Sequence, residues 1–202
     1  MPPAYFPDRF AEGKRYCSKT ERSYIQGGGV SGTDRHAGLP KLRVSAAVEN
    51  YFDPVHSSSG RYSHSSEGLK RSMIQALSDA DLKTKDIDYI CAAANSVQNQ
   101  DRLETAAIKE VFGSISEDVP VSSIKSMIGE TVSAAGILQI AAALGAMENN
   151  FIPPTINYKE PDPACGLDYV PNKKREKTLK NVLINNFGPG GNNASAIIKK
   201  YS

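Results

Sequence analysis

The sequence lacks the features of a secreted or membrane-spanning protein. Its three cysteines, at positions 17, 91 and 165, have no metal-ligand spacing and cannot all pair, so we expect a reduced, cytoplasmic compartment. The N-terminal stretch MPPAYFPDRFAEGKRY has no apolar core and does not predict a signal peptide. The longest apolar run, Ser133 to Met147, falls short of the roughly 20 residues that span a bilayer. It predicts a buried helix, and we expect no membrane partner.

The chain also lacks an excess of charge of one sign. Its 24 Lys and Arg residues nearly balance 22 Asp and Glu residues, which leaves a formal charge of +2. Such a small charge argues against nucleic acid or an anionic membrane as a partner. One segment, residues 172–180, is locally basic, but no aromatic residues interleave with its charges. A solvated surface turn is therefore favoured over a nucleic-acid patch.

Histidine is scarce, and no cofactor motif is present. His36, His56 and His64 lie in loop-like surroundings rich in Ser and Gly, without companions at metal-site spacing. The glycine-rich loop 188–191 lacks the Lys-Ser/Thr pair of a phosphate-binding loop and leads into a strand, which disfavours a phosphate cradle. We therefore expect no metal and no cofactor.

What is present, from residue 41 onward, is an alternation of strand and helix patterns. The periodicity predicts strands at 42–48, 86–92, 120–123, 181–186 and 194–199, and helices at 69–80, 101–112 and 131–149. The order βαβαβαββ favours an α/β fold in which helices cover a mixed sheet. Residues 1–40 show no sustained periodicity, so we expect a poorly ordered lead-in before a domain at 41–202.

Four segments, in this order, resemble the β-ketoacyl-acyl-carrier-protein synthases, the condensing enzymes of fatty-acid and polyketide assembly. They are QDRLETAAIK from Gln100, KSMIGE from Lys125, PPTIN from Pro153 with LDYVP from Leu167, and NNFGPGGNNAS from Asn185. The corresponding family patterns are N-D-x-x-E-T-x-A-I-K, K-S-x-x-G-H, P-P-T-x-N with L-D-Y-V-P, and N-S-F-G-F-G-G-T-N-A-S. On these motifs the chain is identified as a member of the family.

The resemblance implies a thiolase-like fold of two similar halves, of which this chain matches the C-terminal one. The family's nucleophilic cysteine belongs to the other half, and Cys17, Cys91 and Cys165 all lie outside any nucleophile-like context. The family's chemistry also needs two imidazoles that stabilise developing oxyanions. The first corresponds to Ala93 and the second to Glu130. The resemblance therefore predicts that no catalytic residue set is intact.

Other family positions are retained or changed in ways that affect the predicted site. Lys125 is retained. The resemblance implies that Asp101 and Glu104 support this lysine. We hypothesise that Lys125, Glu104 and Glu130 form a buried charge cluster, in which removing one partner would cost about 3–5 kcal/mol. The family's substrate-entrance loop corresponds to Phe187, Gly188, Pro189, Gly190 and Gly191. Pro189 stands at the position of the aromatic gate, and its rigid ring cannot swing as Phe does.

These observations predict a β-ketoacyl synthase-like protein that does not catalyse condensation by itself. Two roles stay open: a non-catalytic partner of an active ketosynthase, like the chain-length factors, or the remnant of a split gene. The alternatives are a carrier-protein-binding module and an acyl-transfer enzyme that uses Lys125, Glu130 and Asp101. The expected partners are an active ketosynthase subunit or a second copy of the chain, and an acyl-carrier protein. An exposed apolar face is expected where the other half of the fold would pack, so the isolated chain should self-associate, recruit a partner or be only marginally stable.

Overall fold

A computed structural model describes residues 42–47, 65–188 and 192–200. The proposed lead-in over residues 1–40 lies outside these ranges, so that boundary stays a prediction. In chain order the elements are β1 (Leu42–Ala47), α1 (Glu67–Asp79), β2 (Tyr89–Cys91), α2 (Gln98–Phe112), β3 (Val121–Ser122), α3 (Lys125–Ile128), α4 (Ala135–Asn149), β4 (Phe151–Ile152), β5 (Arg175–Glu176), β6 (Asn181–Gly188) and β7 (Asn192–Lys200).

Five strands form one mixed sheet in the order β1-β7-β6-β2-β3. The β1–β7 and β7–β6 pairs are antiparallel, whereas β2 runs parallel to both β6 and β3. In the β2–β6 register, Tyr89 lies opposite Val182 and Cys91 opposite Ile184. The predicted mixed sheet is therefore confirmed. Strands β4 and β5 pair separately as a two-stranded sheet.

Helices cover both faces of the sheet, which explains the continuous apolar runs of its central strands. Ile90 and Leu183 belong to a core cluster that contains buried residues of α1 and α2. Their neighbours Tyr89 and Val182 point the other way and belong to a second cluster with α4. Because successive side chains of a strand alternate between faces, β2 and β6 contribute to both cores.

The segment between β3 and α4 differs from the prediction of one helix over 131–149. A short helix, α3, precedes it and ends at Gly129, whose φ of +80° is a conformation that L side chains rarely adopt. Val132 also has a positive φ, +52°, and opens a 3-10 turn over Val132–Ala134. The regular helix therefore begins only at Ala135. No helix of the described ranges is both long and apolar enough to cross a membrane.

Large apolar side chains are exposed where α3 leads into α4. We call this region the α3–α4 surface; its members are Met127 (44% exposed), Ile128 (46%), Val132 (68%), Ile137 (64%) and Leu138 (38%). A neighbouring groove of about 380 Å³ continues it, and Ile124, Ala142, Phe151 and Pro153 contribute to its lining. The α3–α4 surface and this groove together form an exposed apolar region.

Candidate functional site

The residues that correspond to the family's site meet at one edge of the sheet. Because β2, β3 and β6 are parallel, their carboxyl ends lie at the same edge. Ala93 follows β2, Lys125 begins the helix after β3, and Phe187 lies near the end of β6. The fold therefore brings these sequence-distant positions together.

Glu104 of α2 holds the loop that carries Ala93. Its carboxylate accepts hydrogen bonds from Ala93 N (3.0 Å), Ala94 N (2.9 Å) and Asn185 Nδ2 (3.2 Å). The residue is only 4% exposed. Since two consecutive amides of the loop point at one carboxylate, Glu104 fixes the loop's backbone. The Ala93 methyl group itself offers no hydrogen-bond donor.

A chain of buried hydrogen bonds holds Asn185 in turn. Ser195 Oγ donates to Asn185 Oδ1 at 2.9 Å, and it also lies 2.9 Å from Ser72 Oγ. Because Ser195 gives its only proton to Asn185, the Ser72 hydroxyl is the donor that joins the two serines, and its oxygen also lies 2.9 Å from the Leu69 carbonyl oxygen. The Glu104 carboxylate is thereby tied to strands β6 and β7 and to helix α1.

The two acids of α2 have raised pKa values. Burial raises the pKa of Glu104 to about 7, although its three hydrogen bonds favour the ionised form. Burial likewise raises the pKa of Asp101 to about 6, against the lowering effect of the Ser96 and Asn95 backbone amides and the Lys125 charge. Near neutral pH, Asp101 is therefore mostly ionised and Glu104 is close to half-ionised.

The raised pKa values predict that the folded protein loses stability as the pH rises from 5 to 7.5. In this range the folded state binds more protons than the unfolded state, so deprotonation favours unfolding. We expect the free energy of unfolding to fall by roughly 2 kcal/mol, most of it from Glu104. Urea titrations at several pH values measure the effect. Glu104→Gln should remove most of the slope, and an unchanged slope in that variant would contradict the assignment.

Lys125 is paired with Glu130, the residue that the resemblance assigns to the position of the family's second histidine. Its Nζ donates to Glu130 Oε2 at 2.8 Å, and the other carboxylate oxygen of Glu130 accepts from Val132 N at 2.8 Å. Partial burial raises the pKa of Glu130, but these hydrogen bonds outweigh it and the net pKa lies below the ordinary value. Position 130 therefore carries an ionised, acceptor-only group near neutral pH.

The hypothesis of one buried cluster of three charges is wrong in its geometry. The Lys125 side chain is 5% exposed, but that of Glu130 is 41% exposed. Glu104 points instead to the loop amides and Asn185, and no ion pair joins it to Lys125 among the described residues. The structure instead has a half-exposed ion pair between Lys125 and Glu130 and, separately, the hydrogen-bonded carboxylate of Glu104.

A cavity of about 730 Å³ lies between α2 and the segment 155–169. We call it the α2 cavity. Asp101, Glu104 and Lys125 line it, whereas Ala93 and Glu130 do not. The three residues of the acyl-transfer alternative, Lys125, Glu130 and Asp101, are therefore not gathered in this one pocket.

The cysteines and the entrance loop are placed as follows. Cys91 is buried in β2, and burial raises the pKa of its thiol to about 11, which disfavours the nucleophilic thiolate. Cys165 lines the α2 cavity and is partly buried, and Cys17 lies outside the described residues.

The predicted entrance loop is described only in part. Phe187 is 8% exposed in the core of α1 and α2, and Gly188 pairs with Asn192. Pro189, Gly190 and Gly191 also lie outside, so their role as a gate stays a prediction.

The basic segment 172–180 ends at the other end of the sheet from Ala93. There Lys180 N and Asn181 N both donate to Asp88 Oδ2, just before β2 begins. Asn186, level with the loop that carries Ala93, is six residues further along β6, or about 20 Å at the strand rise. Lys180 is therefore remote from Ala93, whereas Asn172, at the start of the segment, exchanges hydrogen bonds with Tyr158, which lines the α2 cavity. No group of three or more metal-ligating side chains occurs in the part of the chain that the structure describes.

Sequence reasoning missed Gln139, a buried amide in the apolar helix α4. Its Nε2 donates to the carbonyl oxygens of Ala92 and Asn185, both at 3.0 Å. The residue is 1% exposed, and it links the ends of β2 and β6 beside Ala93. The available signal was a single polar residue within an otherwise apolar helical pattern.

Gln139→Met is expected to lower the free energy of unfolding by about 1–3 kcal/mol, because it leaves two buried carbonyl oxygens without this donor. Methionine has a similar volume, so the loss reports on hydrogen bonding and not on a cavity. Urea denaturation measures it. The matched control is Gln75→Met at an exposed position of α1, where the amide donates to Asp79 on the surface. Equal stability of the two variants would contradict a linking role for Gln139.

Comparison with known proteins gives consistent matches. The family model described as the β-ketoacyl synthase C-terminal domain matches residues 46–159. The chain is 45% identical over 132 residues to the tetracenomycin polyketide synthase ketoacyl synthase alpha subunit of Streptomyces glaucescens, covering 65% of this chain and 31% of that protein. It is 40% identical over 134 residues to 3-oxoacyl-acyl-carrier-protein synthase 2 of Coxiella burnetii, covering 66% and 32%.

A solved structure is also similar to this chain. The ishigamide ketosynthase/chain length factor superposes with a TM-score of 0.73 and 34% identity, covering 80% of this chain and 38% of that one. The chain thus spans about a third of the length of the curated relatives it matches.

Proposed function

The chain belongs to the β-ketoacyl synthase family, and from that membership we propose that it is a ketosynthase-like subunit that does not itself catalyse condensation. The proposed subunit takes part in fatty-acid or polyketide assembly. The observation that carries the proposal is the 2.8 Å ion pair between Lys125 and Glu130, at the position where the family has its second histidine.

The electrostatics of the two family positions support this proposal. A condensing site must present hydrogen-bond donors to the oxyanion that develops when the carboxylate leaves. An ionised carboxylate at position 130 repels such an anion, and its neighbour Lys125 already donates to it. The methyl group at position 93 donates nothing. Glu104 nevertheless keeps the loop in place. We therefore propose that the backbone of the site is retained although its hydrogen-bond donors are lost.

A ketosynthase subunit is the partner that we propose for the α3–α4 surface. Five large apolar side chains there are 38–68% exposed, and apolar patches of this kind mark interaction sites. The similarity to a ketosynthase/chain length factor favours a partner of the same family. An acyl-carrier protein is the further partner that we propose, since the whole assembly would act on carrier-bound chains.

The acyl-transfer alternative is less well supported. It needs a free lysine or carboxylate close to a bound substrate. Lys125 instead donates to Glu130, and Glu130 lies outside the cavity that Lys125 and Asp101 line. The lowered pKa of Glu130 also makes this carboxylate a weak general base.

Affinity purification of the tagged full chain from its own cell extract tests the partner proposal. We expect a defined complex with a second protein that carries a Cys–His–His ketosynthase site, with its mass measured by native mass spectrometry. The matched variant Ile137→Ser, on the α3–α4 surface, should weaken the complex, whereas Ile74→Ser, at a similarly exposed position of α1, should not. A stable monomer recovered without that partner would overturn the proposal.

A further inference from the structure

Lysines collect at the end of the sheet that lies opposite the mapped site. The whole chain is nearly balanced, with 24 Lys and Arg against 22 Asp and Glu. The segments 83–88, 177–181 and 199–200 nevertheless contain six lysines and only two acidic residues. They meet where β2 and β6 begin and β7 ends. We call this region the lysine edge; its lysines are Lys83, Lys85, Lys177, Lys180, Lys199 and Lys200.

Hydrogen bonds hold the three segments of the lysine edge together. Lys200 N donates to the Lys180 carbonyl at 2.8 Å. Lys180 N in turn donates to Asp88 Oδ2 at 2.7 Å, and Lys177 Nζ donates to the Asp88 carbonyl at 2.9 Å. Each segment is therefore in direct contact with another, and the fold gathers lysines that are far apart in the sequence.

The two acidic residues of the lysine edge do not pair with its lysine side chains. Asp86 Oδ2 accepts a hydrogen bond from Lys83 N at 2.8 Å, and Asp88 Oδ2 accepts from the backbone amides of Lys180 and Asn181. None of the ion pairs between described residues includes a lysine of the edge. Four of these side chains are exposed: Lys83, Lys85, Lys180 and Lys199. The result is a surface of like charges that repel one another.

The strand register brings two of these like charges face to face. Asn181 lies opposite Lys199, and the hydrogen bond from Lys200 N to the Lys180 carbonyl continues the pairing by one position. Lys180 and Lys200 are therefore cross-strand neighbours. Like charges directly opposite each other destabilise a sheet, so anions brought by a partner would turn a repulsion into an attraction.

The composition of the lysine edge selects among anionic partners. Its segments contain no arginine, whose planar fork suits phosphate, and no aromatic residue on which a nucleic-acid base could stack. None of the large apolar side chains that are exposed in the described ranges belongs to these segments, so a second, apolar anchor for a membrane surface is missing there. Separate carboxylates suit lysines, which act as point charges.

We propose that the lysine edge binds an acidic segment of a partner protein, a run of Asp and Glu residues whose carboxylates pair with Lys180, Lys199 and Lys200. Complementary charge of this kind steers the partner to one end of the sheet. Ala93 and Lys125 follow the carboxyl ends of β2 and β3, at the other end. The acidic segment therefore leaves the mapped site uncovered, and the inference does not depend on the proposed loss of condensing chemistry.

Fluorescence anisotropy with labelled probes on the full chain tests the proposal. The probes are hexaglutamate, hexaglutamine and an oligothymidylate with the same number of charges as hexaglutamate. We expect hexaglutamate to bind, with an affinity that falls as salt is added, and hexaglutamine not to bind. Equal binding of the two peptides, or tighter binding of the oligothymidylate, would overturn the proposal. Sedimentation of the chain with vesicles of phosphatidylserine and phosphatidylcholine would also overturn it, in favour of a membrane surface.

Charge-reversal variants locate the bound peptide. Lys180→Glu and Lys199→Glu should each weaken hexaglutamate binding about fivefold or more. The matched control is Lys159→Glu, the same charge change at an exposed position beside the α2 cavity, which should leave the affinity within about twofold. Circular dichroism checks that each variant is folded. Equal affinities in the control and both edge variants would show that the peptide responds to net charge alone, and would overturn the assignment to the lysine edge.

Discussion

Glu104→Ala is expected to lower the free energy of unfolding by about 3–4 kcal/mol. The substitution removes the acceptor of three donors at once: Ala93 N, Ala94 N and Asn185 Nδ2. All three would remain in a buried environment, where an unmade hydrogen bond costs about 1–3 kcal/mol. The loop after β2 would also lose its attachment to α2. Urea denaturation at pH 7.5, followed by circular dichroism, measures the loss.

The same helix offers a matched control for this prediction. Glu110 is exposed and forms a surface ion pair with Lys70 at 3.0 Å. Because exposed pairs contribute little, Glu110→Ala should cost no more than about 1 kcal/mol. Equal losses in the two alanine variants would show that the Glu104 contacts do not hold the site together.

Lys125→Glu is expected to cost more than about 4 kcal/mol, or to prevent folding, because it reverses the charge of a side chain that is 5% exposed. The new carboxylate would face Glu130 across a hydrogen-bond distance and would lie near Asp101, whose pKa already responds to the Lys125 charge. No cation among the described cavity-lining residues other than Lys159, which is exposed, could offset it.

Lys125→Met separates charge from packing in this prediction. The methionine fills a similar volume, and it leaves Glu130, which is 41% exposed, to be solvated by water. We therefore expect a change within about 1 kcal/mol, smaller than the value expected from sequence for a fully buried cluster. Denaturant titrations of the two variants compare them directly. A large loss in the methionine variant would mean that Lys125 is buried against a charge other than Glu130.

The sequence was sufficient to predict the sheet and its covering helices, because their signals are local. The apolar run of β6, the strand pattern of β7 and the helical spacing around Ala107 and Ile108 correspond to elements with nearly the expected bounds. Strand β2, Tyr89–Cys91, is shorter than the predicted 86–92, and a 3-10 turn over Thr84–Asp86 precedes it.

The site was only partly predictable, because side-chain direction depends on tertiary packing. The contact of Lys125 with Glu130 could be predicted, since the two residues are only five positions apart in the sequence. That Glu104 faces loop amides and not Lys125 depends on how α2 packs beside β2 and β6. The bonds of Gln139 to two strand ends likewise join residues more than 45 positions apart, and no local pattern specifies them.

Release of carbon dioxide from malonyl-acyl-carrier protein tests the proposed loss of chemistry most directly. The full chain would be assayed alone and in complex with a ketosynthase partner whose own nucleophilic cysteine and histidines have been replaced by alanine. We expect release no faster than from the carrier protein without enzyme, and no change on Glu130→Gln. Release well above that background, lost on Glu130→Gln, would show that Glu130 is a catalytic group and that the chain is an enzyme.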